Sequence, residues 1–153
     1  QSCPDHPKQQ VWRQKALKAL RQFDENGSYW WDKWHASPYY VGNLAVYALH
    51  RLDPELALSR LKWILKTQRD DGGWGYLDQS TPEETAYCLD ALLLWDRMVD
   101  SIDPAIIRQA ANFLSARSSN QDYTPLWISK GLFAPHNIVK ATIWSTLYQY
   151  MEW

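Results

Sequence analysis

Three mostly apolar helical runs, each opening at a proline, constrain the fold more than any other feature of this chain. They start at Pro38, Pro82 and Pro135, about 45–50 residues apart, the period of a helical-hairpin repeat. Ser37 can accept a hydrogen bond as the cap of the first run, with proline in the first helical position behind it. Thr81-Pro82-Glu83-Glu84 is a fuller start, because Glu84 falls where a capping box places its carboxylate. The runs themselves (Tyr39 to Leu49, Ala86 to Trp95, Ile138 to Tyr148) carry few charges, as helices buried on most sides do. Ahead of each lies an amphipathic segment with apolar residues at helical spacing: Val11 to Phe23, Leu56 to Leu65 after Asp53-Pro54, and Ile106 to Leu114 after Asp103-Pro104. Asn26-Gly27 is the expected stop of the first. No strand pattern is evident. The expectation is an all-α chain of three αα-hairpins, with inner buried helices and outer amphipathic ones. It would form half of an (α/α)6-type toroid, as one domain over residues 11–153 behind an irregular lead-in over residues 1–10.

Between the second and third hairpin elements lies Gln68-Arg69-Asp70-Asp71-Gly72-Gly73-Trp74. Gln68 can bond the backbone of a neighbouring hairpin and Trp74 can pack over it. Asp70 and Asp71 serve turn formation better than acid chemistry, so the segment reads as a brace.

Composition limits the function classes. Sixteen basic against seventeen acidic residues, a net charge of -1, argue against a nucleic-acid or anionic-membrane surface. No apolar run approaches the roughly 20 residues of a membrane span, and no secretory signal opens the chain. Cys3 and Cys88 read as free thiols in a reducing compartment, so a cytoplasmic location is expected. The chain opens on Gln1 rather than Met, which fits a processed form or a fragment.

Trp63-Ile64, Gln68 and Gly72-Gly73-Trp74 resemble the QW repeat of the squalene-hopene and class II terpene cyclases, although Arg60 is followed by Leu61 rather than a small residue. Asp32 to Tyr40, Pro82 to Tyr87 and Leu126 to Pro135 resemble three more segments of bacterial class II diterpene cyclases, in the family's order. The resemblance implies protonation of a polyprenyl chain followed by carbocation ring closure. The substrate would be a linear isoprenoid diphosphate, geranylgeranyl diphosphate first among them. The family's D-x-D-D acid motif is absent from this sequence. The chain therefore resembles the C-terminal half of the catalytic β domain, with the acid supplied by a missing N-terminal half, a complementing chain or a second copy.

Such chemistry needs a dry aromatic pocket, in which each cation–π contact contributes about 0.5–2 kcal/mol. Trp34, Tyr39, Tyr40, Tyr87 and Trp127 lie near the starts of inner helices and are the expected lining, against the alternative that they are core packing. Glu84 is an acid candidate against its role as a helix cap. His35 can accept the terminal proton or hold a water, and His136 and Lys130 can meet a diphosphate; structural roles stay open for all three. Gln68, Gly73 and Trp74 are expected to be structural. No cofactor is expected on this chain, with Mg2+ arriving only with a diphosphate. A zinc prenyltransferase-like site would draw on Cys88 and His136, but Ala86 stands where its Asp is needed. A third reading is a non-catalytic helical partner or remnant.

Overall fold

The computed structural model describes residues 7–24 and 27–153. Cys3, Asn26 and the first six residues of the expected lead-in lie outside them. Among the described residues six helices carry the fold: α1 (Gln9–Gln22), α2 (Pro38–Leu49), α3 (Pro54–Lys66), α4 (Pro82–Met98), α5 (Pro104–Arg117) and α6 (His136–Met151). The start signals work as their chemistry requires. Ser37 accepts from the Tyr39 amide, Asp53 from Leu56 and Thr81 from Glu84, each with proline next. Helix α1 begins at Gln9, inside the stretch expected to be irregular.

Helices α2, α4 and α6 pack side by side as an inner row, with α3 and α5 behind it. The row runs one way. Asn43 of α2 donates to the Tyr87 carbonyl and the Asp90 carboxylate of α4, and Gln149 of α6 donates to the same carboxylate. Helix α4 is central. Its residues Ala86, Cys88, Leu89, Ala91, Leu92 and Leu93 are fully buried, which accounts for a sequence apolar on nearly all sides.

Helix α6 departs from expectation. It was expected to be buried like α4, yet only Val139, Ile143, Thr146 and Leu147 are. Its far side leaves Trp144 50%, Tyr148 60% and Met151 70% exposed, because α6 has inner-row packing on one flank only.

The expectation of no strand also fails locally. Trp127–Ile128 (β1) and Leu132–Phe133 (β2) form a two-residue antiparallel hairpin, pairing Trp127 with Phe133 and Ile128 with Leu132. The pairing is too short for period-2 alternation to show in sequence.

The Gln68–Trp74 turn is a brace. Gln68 donates to the carbonyls of Gly72 and, on α5, Ile106. Trp74 is fully buried and donates its indole N–H to Ile64 at the end of α3. Gly72 has φ +83, and a Cβ there would lie 2.8 Å from the Gln109 carbonyl oxygen. At Gly73 a Cβ would meet the Ser80 Cβ at 2.7 Å.

Candidate active site

The loop before α2 is shaped by Asp32, which accepts from the amides of Trp34 and His35 at 2.7 and 2.8 Å. This turn lets the loop lie against β1. Ile128 donates to the Trp34 carbonyl, Ala36 donates to Leu126, and His35 bridges Trp127. Two family-like segments far apart in sequence thus meet at the start of the inner row.

Glu83 is the centre of that meeting. It sits in the first turn of α4 and is 1% exposed. Its Oε1 accepts the Trp127 indole N–H at 2.7 Å and the Tyr87 hydroxyl at 2.9 Å, and lies 3.3 Å from His35 Nε2. Its Oε2 has no hydrogen-bond partner among the described residues. His35 is also buried, with Nδ1 3.2 Å from the Ser37 carbonyl. Three rings close around the pair. Tyr40 stacks on His35 at 5.0 Å and 23°, while Tyr87 and Trp127 stand edge-on to it at 5.8 and 5.3 Å. Tyr40 also meets Tyr87 and Trp127 at 5.3 and 5.4 Å. Burial, then the charge of Glu83, pushes the Tyr87 phenol well above its usual range, so Tyr87 remains a donor.

The structure therefore gathers His35, Tyr40, Tyr87 and Trp127 and separates the other candidates. Tyr39 turns the opposite way, stacking on Trp63 of α3 at 4.5 Å and 23° in the outer core. Adjacent residues on a helix point about 100° apart, which splits the Tyr39-Tyr40 pair. Trp34 is 57% exposed, with the Lys33 ammonium over its ring at 4.5 Å. Lys130 is exposed in the β1–β2 turn. His136 is exposed at the start of α6, its ring against Tyr123 at 5.5 Å.

Glu84, the acid candidate, has other partners. It accepts the Tyr76 amide on Oε1 and the Thr81 hydroxyl on Oε2. The reciprocal capping-box bond to the Thr81 amide is missing because that amide donates to Trp74. Burial raises the Glu84 pKa, against the lowering effect of its hydrogen bonds to Ser37, Tyr76 and Thr81.

Sequence reasoning compared Glu83 and Glu84 together with the family's acid motif but carried only Glu84 forward as the candidate; the structure puts Glu83 at the centre of the rings. The available signal was its i, i+4 relation to Tyr87, which puts both on the inner face. For metals, Cys88 is fully buried in α4, where burial pushes its thiol up. Among the described residues no three His, Cys, Asp or Glu side chains are grouped to hold a metal.

No protein-family model matches the chain. It is 42% identical over 135 residues to a type B diterpene cyclase of Mycobacterium tuberculosis, covering 87% of this chain and 27% of that protein. It is 38% identical over 125 residues to an ent-copalyl diphosphate synthase of a Streptomyces species, covering 77% of this chain and 24% of that one. Among solved structures, the ent-copalyl diphosphate synthase from Streptomyces platensis matches with a TM-score of 0.73 and 31% identity, over 93% of this chain and 28% of that chain. The chain thus spans about a quarter of the length of the relatives it matches.

Proposed function

Because this chain belongs to the class II terpene cyclase family, we propose that it supplies one wall of a cyclase pocket, the C-terminal part of a catalytic β domain. The substrate is a linear isoprenoid diphosphate, geranylgeranyl diphosphate first. The observation that carries this reading is the convergence of Tyr40, Tyr87, Trp127 and His35 around one buried carboxylate.

The chemistry follows from that wall. Tyr40 and Trp127 are half-buried, so their rings can meet a ligand while their edges stay fixed. Positive charge in front of π faces is favoured by about 0.5–2 kcal/mol per contact, most when water is excluded. The acid that starts the reaction comes from outside these 153 residues, since none of them forms a D-x-D-D motif. Glu84 does not take that role: its two oxygens hold the loop before α4. Mg2+ would accompany the diphosphate substrate. The residues described form no group of three His, Cys, Asp or Glu side chains. The same absence, with Cys88 enclosed in α4, disfavours the zinc-enzyme alternative.

The isolated chain is expected to give no cyclised product from geranylgeranyl diphosphate. Co-expression with the D-x-D-D-bearing remainder of a relative is expected to give a cyclic diphosphate, read by mass spectrometry after dephosphorylation. Turnover by the chain alone would overturn the proposed external acid. A complex that forms but makes no product would favour the non-catalytic partner reading.

A further inference from the structure

The protons of the His35–Glu83 pair can be counted from their partners. The Ser37 carbonyl only accepts, so His35 Nδ1 carries a hydrogen. Nε2 faces Glu83 Oε1, so a hydrogen must lie between them or two lone pairs would oppose each other. That hydrogen has two possible owners. Oε1 already accepts from Trp127, whose indole only donates, and from the Tyr87 hydroxyl. A carboxylic O–H at Oε1 would turn that atom into a hydroxyl oxygen, a weak acceptor, while the Trp127 indole and the Tyr87 hydroxyl both donate to it. One at Oε2 would leave the Nε2 contact unexplained and would itself lack an acceptor. An ionised Glu83 only accepts, and its negative charge suits three donors converging on Oε1.

We propose that Glu83 is a positioning residue of the aromatic wall, holding His35 as a doubly protonated imidazolium and fixing the planes of Tyr87 and Trp127 through the same carboxylate oxygen. This rests on the reading of that wall as the substrate surface. Its consequence is that His35 has no lone pair to receive the terminal proton. The acceptor capacity left in the cluster is on Glu83 Oε2, which is buried and unpartnered. The groups facing His35 are Glu83 and Tyr87 of α4, Tyr40 of α2 and Trp127 of β1, with Glu84 near enough to interact electrostatically. Tyr40 presents its face to the imidazole, and the carboxylate of Glu83 beside Nε2 suits its cationic form.

The test is nitrogen NMR on the whole chain with 15N-labelled histidine, His35 being assigned by its loss in His35→Phe. Both ring nitrogens of His35 are expected to be protonated at neutral pH. In Glu83→Gln the Nε2 signal should move to the unprotonated range, and Glu83→Asp should restore the protonated one. A bare ring nitrogen in the wild-type spectrum overturns the proposal, and that measurement stands even where a variant fails to fold. A His35 spectrum unchanged in Glu83→Gln overturns it equally. Geranylgeranyl diphosphate is added separately and followed by tryptophan fluorescence. A doubly protonated ring with no response to it supports the pair and overturns the substrate reading of the wall.

Discussion

Glu83 and Glu84 are neighbours with the same side chain, and the fold gives them different work. Glu83 faces the inner row and gathers His35, Tyr87 and Trp127; Glu84 faces the loop and ties Tyr76 to Thr81. The difference has a measurable consequence at Glu84, whose pKa burial raises. The folded chain holds that proton more tightly than the unfolded chain does. The group therefore favours the fold below the ordinary glutamate value of about 4.3 and costs stability as pH rises through the raised value. Glu84→Gln should remove that slope: the variant's melting temperature, relative to wild type, should rise between mildly acidic and neutral pH. A constant difference across that range would contradict it. At this scale the sequence exposed the residue types near the helix starts but not their directions. Nothing in Tyr39-Tyr40 says which ring joins the site. Trp34 resembles the other aromatics in sequence, yet lies in solvent because the Asp32 turn directs it outward.

At the scale of elements, local signals were strongest where they concern backbone hydrogen bonds. Proline after a capping residue located α2, α3, α4 and α5 because the orphan amides of a helix start can be satisfied locally. Thr81→Ala should lower stability by about 1 kcal/mol through the lost cap. The loss should be larger here, because the Thr81 hydroxyl also anchors Glu84. The turn of the Gln68–Trp74 brace is more demanding. Gly72→Ala places a Cβ against the Gln109 backbone of α5 in a left-handed conformation, which by itself costs about 1–2 kcal/mol. A reduced denaturation midpoint in urea is the expected result, and an unchanged midpoint would show that the turn can relax. The β1–β2 hairpin escaped sequence reading because two paired residues leave no periodicity, although it is the element that carries Trp127 to Glu83.

At the scale of the whole molecule, one side of the inner row is bare. Helix α6 exposes Ile138, Trp144, Tyr148 and Met151, and α2 exposes Leu44 and Tyr47. Scattered exposed apolar residues are ordinary, but a stripe of large ones along a single helix marks a contact surface. The expectation is that the purified chain self-associates or binds an apolar dye, and that a complementing part of the ring suppresses both. A monodisperse monomer in light scattering without dye binding would refute this. Trp144→Glu should reduce the association without loss of helix signal, since Trp144 lies half exposed on the far side of α6. Among the described residues no helix is long and apolar enough to cross a membrane.

By itself the sequence determined the helical class, the alternation of hairpins and the brace at Gln68–Trp74. These depend on short-range physics: capping, proline geometry, apolar period and turn chemistry, all written within a few consecutive residues. Only the tertiary structure decided that Glu83 rather than Glu84 meets His35, that Tyr40 and not Tyr39 joins Trp127, and that α6 is half bare. Each of those outcomes is set by which way a side chain points once segments 40 or more residues apart have packed, as the 48-residue separation of His35 and Glu83 illustrates. A one-dimensional pattern carries the periods of the elements but not the contacts made when they meet.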